Sequence, residues 1–124
     1  MVWKVSIPLL LAAIFVAHDT RAQSSVDNGK QQFAKKCVMC HAAEPGKNKI
    51  GPSLFGVVGR KAASEANFSY SDAMKKFDHV WDDATLETYL AEPRKIVPGT
   101  KMIFAGLKEK GERDDLIAYL ATLK

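Results

Sequence analysis

The chain has 124 residues, enough for one domain, with 26% charged residues and a formal net charge of +4. That balance is mildly basic and excludes the dense positive face of a nucleic-acid binder. Its two cysteines, Cys37 and Cys40, stand in one motif, so no disulfide framework can staple the fold.

The first segment reads as a targeting signal. Lys4 precedes Val5 to Ala17, an almost unbroken apolar run of signal-peptide length and too short for a comfortable membrane span. His18, Asp19 and Arg21 end the run, and Thr20-Arg21-Ala22 offers small residues at the −3 and −1 positions of a cleavage site. We expect residues 1–22 to be a signal segment cut after Ala22, and residues 23–124 to be one domain. An uncleaved anchor is the rival reading. Removal takes Lys4, Arg21 and Asp19 with it and lowers the formal charge from +4 to +3.

Ser24 with Asp27 resembles a capping arrangement. Val26, Gly29, Phe33 and Cys37 then recur at helical spacing, which predicts a helix from about Val26 to Cys40. Gly29 inside a helix costs about 1 kcal/mol relative to alanine, so its presence points to close packing. The helix delivers Cys37-Val38-Met39-Cys40-His41. This C-x-x-C-H run reads as a site of covalent c-type haem attachment. Two thiols at that spacing can bond one side of a porphyrin, and the next histidine can give the iron an imidazole. A thioredoxin-like pair would want a βαβ context, and a zinc site would want ligands that the chain lacks.

Ala42 to Gly51 reads as a loop. Gly51-Pro52-Ser53-Leu54-Phe55-Gly56-Val57-Val58-Gly59-Arg60 has too many glycines for a regular helix and suggests backbone passing close to something flat. A phosphate loop is the rival there, but no G-K-[ST] follows. Lys61 to Tyr70 is irregular. Ser71 can cap a short helix over Asp72 to Lys76. Asp82 and Asp83 start another helix, with Leu86, Tyr89 and Leu90 on its apolar face and Pro93 stopping it. Arg94 to Lys101 reads as extended or turned, and Gly106 to Gly111 as a basic turn. The last helix runs from about Glu112 to Leu123. No strand is expected, so the fold class is all-α, with short helices and long loops around a buried cofactor.

A haem iron held by His41 has a second axial face. Met39 sits inside the attachment motif and cannot reach it. Met74, His79, a lysine or no ligand at all are the alternatives; Met102, in the stiff segment Pro98-Gly99-Thr100-Lys101-Met102, leads.

In this order, these motifs resemble the class I c-type cytochromes, of the mitochondrial and bacterial periplasmic type. The match covers nearly all of Gly29 to Leu123. It rests on the Cys37–His41 motif, Gly51-Pro52-Ser53-Leu54, Gly59-Arg60, Tyr70, Trp81, Tyr89-Leu90, Pro98 to Phe104, and Glu112 to Leu120. The resemblance implies a small cytochrome c fold with one haem c, joined by thioethers to Cys37 and Cys40 and ligated by His41 and Met102. It implies that Pro52 offers its carbonyl to the His41 ring. Arg60, Tyr70 and Trp81 match positions near the haem propionates, and Tyr89 matches the aromatic that reaches the Met102 sulfur. Gly29 and Phe33 match a crossing with the last helix, where Leu116 and Tyr119 are the partners.

The implied function is a soluble one-electron carrier, not an enzyme. It would be a monomer in the periplasm, without nucleic-acid binding or stable membrane insertion after signal removal. Its partners would be acidic-faced redox proteins: an oxidase, reductase, dehydrogenase or reaction centre. Lys36, Lys49, Arg94, Lys95, Lys101 and Lys108 match the rim such partners would meet. The alternatives are a small peroxidase-like haem enzyme or a gas-binding haem module; either needs an open sixth site.

Overall fold

The computed structural model describes Met1, Val2 and residues 19–124. The apolar run of the expected signal segment lies outside the described residues, apart from its flanks. Among the described residues there are five helices in chain order: α1 (Thr20–Lys36), α2 (Asp72–Lys76), α3 (Asp83–Ala91), α4 (Pro93–Ile96) and α5 (Lys110–Leu120). Among the described residues the one β-type pairing is an isolated antiparallel bridge between Lys61 and Val80.

α1 begins six residues earlier than its apolar spacing predicts and ends four residues sooner. Its N-cap is Asp19, which accepts from the Arg21 N–H at 3.2 Å, not Ser24. Thr20 to Ser25 are polar and leave no periodic signal, yet a capped start lets them join the helix. At the other end Cys37 is the C-cap, and Lys35 and Lys36 in the last turn suit the negative end of the helix dipole. The haem motif therefore follows α1 as a tight turn, with the Cys40 and His41 N–H groups both donating to the Cys37 carbonyl.

α2 and α3 start as expected. Ser71 Oγ accepts from the Met74 N–H at 3.1 Å, and Asp82 Oδ1 from the Thr85 N–H at 2.8 Å. α4 is a short helical turn where an extended or turned segment is expected after Pro93. Proline fixes its own φ at a helical value and lacks only an N–H that the first turn cannot pair, so Pro93 ends α3 and opens α4. α5 starts and ends earlier than its apolar pattern suggests, and buries Leu116, Ile117 and Leu120.

The core forms where α1 crosses α5. Gly29 makes the crossing possible: a Cβ there would lie 2.6 Å from the Asp115 carbonyl carbon and 2.8 Å from Tyr119 Cβ. Phe33 packs on Tyr119 with ring centroids 5.5 Å apart, and Ser25 Oγ donates to Asp115 Oδ1 at 2.5 Å. Phe33, Leu86, Leu107 and Leu116 are each at most 5% exposed. Burying one such side chain contributes about 1.5–3 kcal/mol.

α3 is tied to α5 by Arg113, whose Nε lies 2.7 Å from Glu87 Oε1. The chain after Met102 runs close under the end of α3. The Leu107 N–H donates to the Leu90 carbonyl at 2.8 Å, and Gly106, at φ 106°, passes too near Ala91 to carry a side chain. The 59–62 loop is pinned to the 79–81 segment through Gly59, Ala62 and Trp81 N–H groups. These ties bring His41, Arg60, Trp81, Tyr89 and Met102 from separate segments onto one packed unit.

Candidate functional site

Cys37 and Cys40 are free and half-buried. Burial pushes the Cys37 thiol up to about 11, with the Lys36 charge pulling partly against it. A nucleophilic redox pair needs a low-pKa thiolate, so this environment does not suit thioredoxin-like exchange. Met39 between the cysteines is 82% exposed and faces solvent.

His41 is held from both sides. Its Nδ1 lies 2.7 Å from the Pro52 carbonyl oxygen. A carbonyl only accepts, so Nδ1 carries the proton and Nε2 keeps its lone pair. Burial holds the imidazole below its usual pKa, more than the Pro52 carbonyl raises it, and the nearby charges of Arg60 and Lys49 lower it further. The ring is therefore neutral at physiological pH. Gly51 lies flat against it: a Cβ there would stand 2.7 Å from Nδ1 and 2.9 Å from Nε2. Of the three glycines expected to pass a flat object, Gly51 does so, against the imidazole. Gly56 and Gly59 serve differently; both take positive φ with open space around them, and supply turns.

Arg60, Ser53, Glu65 and Tyr70 form a second cluster. Arg60 Nη1 donates to the Phe55 carbonyl at 3.1 Å and to Glu65 Oε2 at 2.9 Å, and Nη2 donates to the Ser53 carbonyl at 2.9 Å. Tyr70 Oη accepts the Glu65 N–H at 3.1 Å. Ser53 is fully buried, its Oγ donating to the Glu44 carbonyl and its N–H to Asn48 Oδ1. Sequence reading missed Glu65, Ser53 and Asn48. They lie in irregular loops, where no periodicity marks which side chain turns inward.

A third cluster is aromatic. Trp81 and Tyr89 are both buried, with ring centroids 4.8 Å apart, and Phe77 packs against each. The Tyr89 hydroxyl donates to Met102 Sδ at 3.8 Å. Burial raises the Tyr89 pKa, so the hydroxyl keeps its proton. His79 is exposed and stacks on Phe77 at 4.2 Å.

The residues fit a covalently held haem on three counts. Arg60 Nε is buried and has no hydrogen-bond partner, an unmet donor suited to an anionic oxygen. Leu54, Val58, Met74, Phe77, Met102 and Phe104 pack on the core yet stay only half-covered, apolar surface that a porphyrin would shield. The donor set is an imidazole with a free Nε2 and a thioether, both soft enough for haem iron. The shallow groove between α3 and α5, lined by Asp83, Glu87, Asp114 and Ile117, shares no residue with these clusters.

Of the expected rim, Lys36 pairs with Glu112 at 3.6 Å and Lys95 with Glu92 at 3.2 Å. Lys49 donates to the Val38 carbonyl beside the attachment motif, and Lys108 to the Ala91 and Ala105 carbonyls. Arg94 and Lys101 are exposed and make no ion pair among the described residues.

Comparison with known proteins gives a family and a fold. The family model for cytochrome c matches residues 26–124. A cytochrome c2 from Rhodomicrobium vannielii is 44% identical over 119 residues, covering 95% of this chain and 94% of its own. The cytochrome c of Euglena viridis is 45% identical over 98 residues, covering 79% of this chain and 96% of its own. Among solved structures, cytochrome cH from Methylobacterium extorquens superposes with a TM-score of 0.74 at 47% identity, covering 78% of this chain and 97% of that one. On motif, fold and relatives together, the chain belongs to the cytochrome c family.

Proposed function

We propose that this electron carrier holds its haem iron between His41 Nε2 and Met102 Sδ. Haem c is attached through Cys37 and Cys40, and supplies a one-electron couple that methionine ligation poises toward the ferrous state. The observation that carries the ligand assignment is the 2.7 Å contact between His41 Nδ1 and the Pro52 carbonyl, which leaves Nε2 as the one free lone pair of the ring. The Tyr89 hydroxyl donates to the Met102 sulfur and would orient it toward the iron. His41 and Met102 would together leave no open position on the iron for O₂, CO or peroxide, and on that ground we read the protein as a carrier and not as an enzyme.

The finer reading concerns place and partners. A signal segment cut after Ala22, which takes the Asp19 cap and the first three residues of α1 with it, exports the chain to the periplasm, in keeping with the bacterial relatives named cytochrome c2. There it works as a monomer, in a respiratory or related chain, with redox proteins that present an acidic face. No helix among the described residues is long and apolar enough to cross a membrane.

Met102→Ala tests the assignment. The variant loses the far-red sulfur-to-iron charge-transfer band, binds CO quickly in the ferrous form, and has a lower midpoint potential than the parent. A surviving band transfers the role to Met74. Rapid CO binding by the unsubstituted protein overturns the closed-site reading in favour of a haem enzyme or gas-binding module. The intact mass of the same preparation reads the leader: it corresponds to Gln23–Lys124 plus one haem, and a chain starting at Met1 refutes cleavage.

A further inference from the structure

Arg60 does not face the site alone. Its guanidinium is shared with a carboxylate of the chain itself, Glu65, at 2.9 Å, and the two side chains are only 15% and 16% exposed. Glu65 and the Phe55 carbonyl take the two Nη1 donors, the Ser53 carbonyl takes one Nη2 donor, and Nε is the guanidinium nitrogen left buried with no partner.

The loop that carries Glu65 is shaped to deliver it. Ala63 and Asn67, two residues to either side, hold φ of 57° and 59° in the left-handed region. That region disfavours a side chain such as that of Ala63, while asparagine enters it more readily, and the turn persists where its surroundings hold it. Here the surroundings are explicit. Tyr70 Oη accepts the Glu65 N–H at 3.1 Å, and Asn48 Nδ2 donates to the Ala66 carbonyl at 2.9 Å. The strained loop, its two tethers and the ion pair converge on one side chain.

We propose that Glu65 is a positioning residue and a charge counterweight for the redox centre. It holds the Arg60 fork so that Nε is presented to a haem carboxylate, and its negative charge offsets the guanidinium's pull on the electron. The inference rests on the haem-site reading above. Its sign follows from charge alone. Reduction adds one negative charge to the site; a lone guanidinium favours that step, and a carboxylate beside it opposes it. The pair is mostly out of water, so salt screens it far less than a surface lysine. The neighbours do not upset the balance. Lys61 is engaged with Asp78 at 3.4 Å on the surface, and burial raises the Tyr70 pKa, which keeps that hydroxyl neutral.

The test compares Glu65→Gln and Glu65→Asp in the haem-loaded protein, reading midpoint potential at neutral pH and the denaturant midpoint of unfolding. Glu65→Gln keeps an oxygen for Arg60 and removes the charge, so the potential rises. Glu65→Asp keeps the charge and stays near the parent potential even where the shorter side chain lowers stability. A Gln variant with unchanged or lower potential overturns the proposal, as does an Asp variant that shifts as far as the Gln variant. A merely structural role moves the unfolding midpoint and leaves the potential alone. Should the Gln variant fail to accumulate, Glu65→Ser serves with the same expected rise. Failure of the underlying haem-site reading is seen separately, as an intact mass without covalent haem in the parent protein.

Discussion

Replacing Gly29 with alanine sets two effects of opposite sign against each other. Gly29 sits in the middle of α1, where alanine is worth about 1 kcal/mol more than glycine for helix formation alone. An exposed site would therefore gain stability. At Gly29 the added Cβ would stand 2.6 Å from the Asp115 carbonyl carbon, closer still to its oxygen, and 2.8 Å from Tyr119 Cβ. Overpacking a well-filled core costs about 1–3 kcal/mol, and the upper end applies because backbone cannot rotate aside as a side chain can. Relief requires α5 to move off α1, which loosens the Phe33–Tyr119 contact and the Ser25–Asp115 hydrogen bond. The net expectation is a loss of about 2 kcal/mol, or roughly 10 °C in Tm for a domain of this size. Denaturant unfolding of the haem-loaded protein should show a lower midpoint with an unchanged slope. Ala34→Gly, on the exposed face of the same helix, is the control and should lose about 1 kcal/mol by propensity alone. A neutral or stabilised Gly29→Ala variant would refute the close crossing and leave Gly29 without a reason.

The α3 cap predicts an acid-dependent component of stability. Hydrogen bonds from the Thr85 backbone N–H and side chain hold the Asp82 carboxyl below its usual pKa. A lowered folded-state value means that this stabilisation is full above the unfolded-state pKa, near 3.9, and fades as pH falls through the folded value. Asp82→Asn still offers an oxygen to the Thr85 N–H but does not titrate, so its unfolding midpoint should fall less than the parent's between pH 7 and about pH 3; parallel falls would contradict the cap. For partner docking, electron transfer to an acidic protein should slow as salt rises, because charge steering is screened beyond about 8 Å at physiological ionic strength. Lys101→Glu, beside Met102, should slow it more than Lys124→Glu at the C-terminus; rates flat in salt, or equal penalties at the two sites, would make the interface apolar.

Some of this protein could be read residue by residue, because the information is local. The cysteine spacing and the following histidine need only five residues to define an attachment site. Ser71 and Asp82 cap their helices through bonds that span three residues, so the starts of α2 and α3 were legible. Other features are decided between distant segments and leave no local trace. α1 extends back to Thr20 through polar residues that follow a cap at Asp19, and α4 forms because Pro93 can open a helix as well as close one. Gly29 announced close packing, but the Asp115 carbonyl it makes room for lies on the other side of the chain. Glu65 is the clearest case. In sequence it is one acid in an irregular loop, where side-chain direction follows no period. Only the folded chain, with its left-handed turns at Ala63 and Asn67, brings it onto Arg60 and leaves Nε buried without a partner. Short-range rules choose the elements and the chemistry available to them; which groups are buried together, and which are left unpaired, is a property of the packing.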